Sequence, residues 1–128
     1  MYTQEEKAIK FVIKAFEGQK RIKEDISLSA HSITVGFMLK NIGCDQITVT
    51  SGFLHDIIED TNYDYTYIKE NFGEEVANNV IQVSEDMNIP NWKERKEKFI
   101  LNLYNQNKNI LLIELADKLH NLISDYDL

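Results

Sequence analysis

The sequence predicts an all-α protein, a compact bundle of about six or seven helices. Three observations carry that prediction. One proline and five glycines leave little to interrupt helices. Apolar residues recur three and four apart in segment after segment. No stretch alternates apolar and polar residues over a useful strand length.

The elements follow in order. Ile9, Val12, Ile13 and Phe16 give a first helix that ends at Gly18. Polar residues 19–27 form a loop. Ser27 or Ser29 caps a second helix, which carries His31, Val35, Met38 and Leu39 and stops near Gly43. Asp45 caps a third, over roughly 46–59, with Val49, Phe53, Leu54 and Ile57 on its core side. Thr66 opens a short helix closed by Gly73, and a fifth follows through Val76, Val80 and Val83. Residues 84–91 form a loop containing Pro90, a residue suited to a helix start. A sixth helix spans roughly 92–105 and a seventh roughly 110–123. With no repeat and no low-complexity tract, residues 1–128 read as a single domain.

Composition narrows the class without reaching a function. Hydrophobic residues at 43% and charged residues at 27% fit a soluble globular chain. A net charge of −7 argues against binding a nucleic-acid polymer, which needs a basic footprint. A small phosphorylated ligand is still compatible, because a cation and a few Lys or Arg make a locally positive pocket. The first residues carry no apolar signal region, and no apolar run reaches the roughly 18 residues of a membrane span. Cys44, the lone cysteine, excludes an intramolecular disulfide and reads as a small buried apolar residue in a reducing, cytoplasmic setting.

Two segments carry candidate chemistry. His55-Asp56 follows apolar or small residues, and a buried carboxylate beside an imidazole is costly unless something pairs with it. If the helix persists, residues 55, 59, 56 and 60 fall at about 0°, 40°, 100° and 140° around its axis. His55, Asp56, Glu59 and Asp60 then share one arc, as a solvated acidic helix end also would. In the last helix Asp117 sits among Leu112, Ile113, Leu115, Ala116 and Leu119, and it shares a face with Glu114 and Asn121. A polar line on an otherwise buried helix is either a satisfied network or a site. His31 lies on the face of Val35 and Met38, where a hydrogen-bonded core histidine is the plain alternative. Together His31, His55, Asp56 and Asp117 form a mixed N/O donor set suited to manganese, iron, zinc or magnesium-like ions. Such an ion polarises a phosphate and acidifies a bound water.

The order of His31, LHDIIEDT at 54–61 and ADKLHNL at 116–122 resembles the HD-domain superfamily. Within it, the chain is similar to the hydrolase domain of the RelA/SpoT family and its small stand-alone relatives. The resemblance runs over residues 15–122 and includes GQKR at 18–21, ENFGEEV at 70–76 and SEDMNIPNWKERK at 84–96. It implies a compact helical HD bundle that removes pyrophosphate from the 3′ position of guanosine tetra- or pentaphosphate, with Mn2+ as the usual metal. It makes His31, His55, Asp56 and Asp117 the metal ligands and Glu59 and Asp60 the acidic pair that handles the attacking water. Arg21 matches a basic residue near the nucleotide base and Asn121 one near the ribose. Arg95 and Lys96 are the local candidates for phosphate contacts, or else part of a solvated charged face. Trp92 is read as an anchor for their helix.

Three positions depart from the family pattern. Ser32 follows His31 where proline is usual, Met87 stands where relatives often carry lysine, and the chain stops soon after the Asp117 helix. The last departure implies a minimal version, or a pocket wall supplied from elsewhere, such as a second subunit of a homo-oligomer. The alternatives to the pyrophosphohydrolase are a nucleotide phosphomonoesterase of the 5′-nucleotidase kind and a non-catalytic nucleotide-binding module. The intact tetrad and acidic pair weigh against the module.

Overall fold

Side-chain caps set where most helices begin. The computed structural model describes residues 3–21 and 26–126, without the side chains of 125 and 126. Eight helical segments lie among the described residues: α1 Gln4–Ala15, α2 Ser29–Asn41, α3 Gln46–Phe53, α4 Ile57–Asp60, α5 Tyr65–Phe72, α6 Glu74–Gln82, α7 Trp92–Leu103 and α8 Lys108–Tyr126. Thr3, Asp45, Asp64 and Asn91 each accept a backbone N–H from three residues ahead, and so open α1, α3, α5 and α7. Gly43 and Gly73 end α2 and α5 at φ +88 and +96, a conformation that residues with a side chain rarely adopt.

The all-α class holds, with local corrections. The predicted third helix is broken. α3 stops at Phe53, and 54–56 form a tight turn in which Leu54 N–H reaches Ser51 O at 3.2 Å and His55 N–H reaches Gly52 O at 3.4 Å. His55 and Asp56 therefore sit at a break, and the single-helix arc does not apply to them. α2 takes Leu28 as its N-cap with no side-chain bond, so neither predicted serine caps it; Ser27 Oγ accepts the Ser29 N–H instead. Asp64 caps α5, which starts at Tyr65, one residue before Thr66. The loop at 19–27 carries an isolated antiparallel bridge between Lys20 and Ser27, with Arg21 N–H donating to Ile26 O at 3.0 Å. Residues 22–25 of that loop lie outside the described residues.

The core runs from Ala8 and Val12 of α1 and Phe16 just past its end through Val35, Leu39, Val49 and Phe53 to Val80, Ile110 and Ile113. α2 lies between α1, α3 and α8 and is buried on more than one side. Two glycines let α2 and α3 touch. A Cβ on Gly36 would stand 2.1 Å from the Phe53 ring, and one on Gly52 would stand 2.4 Å from Leu39 Cδ1. Close packing of this kind leaves no slack for an added methyl. It also brings His31, near the start of α2, toward His55, just past the end of α3.

α8 is apolar on two faces. Ile110, Ile113 and Ala116 enter the core with Glu114 and Asp117, while Leu115 and Leu119 point outward at 63% and 45% exposure. The last helix is thus not otherwise buried, contrary to the sequence expectation. Trp92 is 65% exposed and does not anchor α7; the Lys96 ammonium lies 5.7 Å from its ring centroid. Cys44 packs half-buried against the core. Among the described residues no helix is long and apolar enough to cross a membrane.

Candidate metal centre

Three buried side chains from three elements meet at one point. His31 Nε2 lies 2.8 Å from Asp117 Oδ1, and His55 Nε2 lies 3.3 Å from the same oxygen. The two Nε2 atoms are 3.2 Å apart. Their potential ligand atoms all fall within 4.8 Å of one another, a spacing suited to one ion. Asp56 stands at the more open side, its Oδ2 3.2 Å from His55 Nε2 and 3.6 Å from His31 Nε2. The predicted tetrad is therefore assembled, with Asp56 the least buried member.

The helix break orients His55. Gly52 O, near the end of α3, lies 2.7 Å from His55 Nδ1. A carbonyl oxygen only accepts, so Nδ1 carries a proton and Nε2 faces the cluster, a donor to Asp117 while the ring is cationic and a lone pair for a metal ion once its second proton is lost. His31 is held from behind by His120, whose Nδ1 lies 2.7 Å from its own.

The cluster's electrostatics call for positive charge. Burial pulls the His55 pKa down, but Asp56 and Asp117 outweigh it and hold it well above the ordinary imidazole value. Burial raises Asp117, yet hydrogen bonds from His31 and His55 keep it well below the usual carboxylate range. Asp56 is lowered in the same way, burial being offset by His55. Both sides of the pairing agree: the carboxylates favour a cation among the imidazoles.

The neighbouring acids are pushed the other way. Burial, then Asp56, Glu85 and Asp60, raise Glu59 to about 7 against the bond it accepts from Glu85 N–H. Burial followed by Asp56 raises Asp60 to about 6. Glu114 also reaches about 7 through burial and Asp117, although Lys118, 3.7 Å away, opposes the shift.

The predicted substrate residues fall into two chains around this centre. On one side Asn121 Nδ2 donates to Asp117 Oδ1 at 3.2 Å, and Arg21 donates to Asn121 Oδ1 at 3.2 Å. On the other, Glu59 Oε1 accepts the Glu85 N–H at 2.5 Å, and the Glu85 carboxylate accepts from Arg95 Nε at 3.2 Å and Lys96 Nζ at 2.6 Å. Arg95 and Lys96 thus pair with Glu85, whose backbone N–H is bonded to Glu59. Glu85 lines a cleft of about 530 Å³ with Met87, Arg95 and Lys98, and Glu59 lines another of about 470 Å³ with Gln19 and Asp60. Sequence reasoning missed Glu85, which looked like one more charge in a loop. It also missed His120, although a spacing of three from Asp117 places both on one side of α8.

Comparison with known proteins agrees with this geometry. A family model described as HD domain matches residues 8–125. The chain is 30% identical over 109 residues to a probable guanosine-3′,5′-bis(diphosphate) 3′-pyrophosphohydrolase of Synechocystis, covering 81% of this chain and 14% of that one. It is 34% identical over 94 residues to the Xenopus tropicalis guanosine-3′,5′-bis(diphosphate) 3′-pyrophosphohydrolase, covering 72% and 52%. The chain thus spans about half, or far less, of the length of these curated relatives. A solved metazoan ortholog of SpoT, described as hydrolyzing ppGpp, superposes with a TM-score of 0.86 at 27% identity, over 95% of this chain and 70% of that one. A solved Listeria monocytogenes protein gives 0.70 at 35% identity, over 74% and 60%. Because the match over residues 8–125 takes in both helices and the turn that bring His31, His55 and Asp117 together, the chain belongs to the HD domain family.

Proposed function

We propose that this protein is a divalent-metal-dependent phosphohydrolase that removes pyrophosphate from the 3′ position of guanosine tetra- or pentaphosphate, or of a closely related nucleotide, in the cytoplasm. The observation that carries the reading is the convergence of His31 Nε2, His55 Nε2 and Asp117 Oδ1, with Asp56 beside them. Two imidazole nitrogens 3.2 Å apart around one carboxylate oxygen are a poor arrangement for one another and a good one for a cation. These four residues would hold the metal, and Mn2+ suits the mixed N/O set. Similarity to pyrophosphohydrolases supports the guanosine substrate.

A bound metal supplies charge for the phosphoryl oxygens and acidifies a water. The chain's own groups do the rest. Glu59, near 7, is placed to take a proton from the attacking water at neutral pH, and Glu85 N–H keeps its carboxylate oriented. Asp60 stands next to it as the second acid. Arg21 and Asn121, already joined to Asp117, face the nucleoside end. Arg95 and Lys96 exchange Glu85 for phosphate oxygens when substrate arrives, meeting negative charge with charge-assisted hydrogen bonds.

The test is to incubate the purified protein with Mn2+, guanosine tetraphosphate and a nucleotide panel, then to identify products. Pyrophosphate release from the guanosine 3′-pyrophosphates is the expected result. Orthophosphate from nucleoside monophosphates would make it a phosphomonoesterase instead. Tight nucleotide binding with no turnover of any member would overturn the enzyme reading.

A further inference from the structure

His31 reaches the cluster with Nε2, so its aim depends on what holds the opposite edge of its ring. That edge meets His120, a residue the proposed reaction leaves without a role. The two Nδ1 atoms lie 2.7 Å apart, and the rings meet edge to edge, their centroids 5.0 Å apart and their planes 28° apart. A contact this short between ring nitrogens requires one ring to donate and the other to accept. His55 shows what such a bond does: its Nδ1 is fixed by Gly52 O, which leaves Nε2 for the cluster. For His31 the same service comes from a side chain. With the proton on His31 Nδ1, its Nε2 lone pair points where Asp117 Oδ1 and His55 Nε2 converge. α8 thereby supplies both a carboxylate to the cluster and, three residues on, the brace behind the histidine facing it.

We propose that His120 is a positioning residue of the metal centre, accepting the Nδ1 proton of His31 and so directing the His31 Nε2 lone pair onto a divalent cation. This rests on the reading of the cluster as a metal centre. Partners of this kind fix the tautomer and rotation of a ligating ring, and their loss typically weakens metal affinity by about 10–100-fold.

Two substitutions separate the hydrogen bond from the packing of the two rings. His120→Phe keeps a ring against His31 and deletes the acceptor; His120→Gln removes the ring and keeps an acceptor oxygen. Co2+ affinity by titration calorimetry and the visible d–d spectrum of the bound ion are read for both variants and the unsubstituted protein, with thermal melts to confirm folding. The Phe variant is expected to bind Co2+ about 10–100-fold more weakly with an altered spectrum, and the Gln variant to stay within about threefold with the original spectrum. Equal affinities in all three, or the reverse order with Gln the weaker, overturn the proposal in favour of packing. Should His120→Phe fail to fold, a tenfold loss in His120→Gln alone overturns it. If the unsubstituted protein binds no Co2+ or Mn2+, the metal-centre reading falls and this inference falls with it, an outcome distinct from binding that ignores residue 120.

Discussion

His31, His55 and Asp117 project from packed elements that give them little freedom, whereas Arg95 and Lys96 project from the exposed α7 and are held by one carboxylate, Glu85. The first group is buried and mutually unsuited, since imidazole nitrogens and carboxylates crowd one point. The second is two cations sharing one carboxylate, which leaves net positive charge. A site that must collect a cation is best built in advance, because disorder there costs affinity directly. A rim that must release and rebind phosphate works better when its cations share a partner, as Arg95 and Lys96 share Glu85, so that an arriving phosphate takes up charge the carboxylate leaves over. The contrast separates what folding fixes from what a ligand rearranges.

The sharpest way to break that contrast is Asp117→Ala. Asp117 Oδ1 is the atom both histidines share, so its removal should empty the metal site and lower kcat/KM by more than about 10³-fold. Metal content by elemental analysis and product release by chromatography check both together. Full metal occupancy in this variant would mean that the ligand set is wrong.

Glu59→Gln probes the junction between the two regions. Glu59 is three residues past Asp56, and its carboxylate is tied to Glu85 of the rim. As a proton acceptor it is worth about 10²–10⁴-fold in kcat, so the variant should lose that much while keeping its metal. The sign of the pH effect follows from its raised pKa. Below about 7 the carboxyl is protonated and cannot accept, so the rate should fall as pH drops through that value. Residual activity in the Gln variant should lack this limb. An unchanged profile would reassign the base, with Asp60 next to be tested.

What the sequence made legible follows the same division. Apolar spacing located most helices, and the cap at Asp45 is local chemistry that a sequence displays, whereas α7 opens on Asn91, one residue after the Pro90 that the sequence offered as its start. His31, His55, Asp56 and Asp117 were recognisable as polar residues in apolar company, and they do converge. The break at residues 54–56 was not legible, because SGFLHD contains no residue that forbids a helix. The close approach at Gly36 and Gly52 is likewise invisible without the facing Phe53 and Leu39. Glu85 as a hub, and the outward apolar face of α8, are properties of the assembled fold.

Gly36→Ala addresses the packed region alone. Its new methyl would strike the ring of Phe53, which is itself fully buried and has nowhere to turn. Overpacking at such a contact costs about 1–3 kcal/mol, read as a lower urea midpoint. Because α2 must shift to make room, His31 moves with it, and metal affinity should weaken alongside stability. The rim is anchored on other elements, so nucleotide binding without metal should change less. Loss of stability with unaltered metal affinity would show that the seat of His31 tolerates movement.

The smallest expected effect runs in the opposite direction and concerns the residue beside His31. Ser32 is fully buried, and its hydroxyl has no hydrogen-bond partner among the described residues. A buried hydroxyl left without a partner costs about 1–3 kcal/mol relative to its state in water. Ser32→Ala removes that cost, and alanine is also the better helix former by a few tenths of a kcal/mol. The variant should therefore gain about 1 kcal/mol, read as a higher urea midpoint at an unchanged m-value. Metal affinity should stay as it was, because the hydroxyl makes no hydrogen bond to the cluster's described atoms. A fall in stability would show instead that the hydroxyl is bonded in solution, and a fall in metal affinity would bring Ser32 into the support of its neighbour.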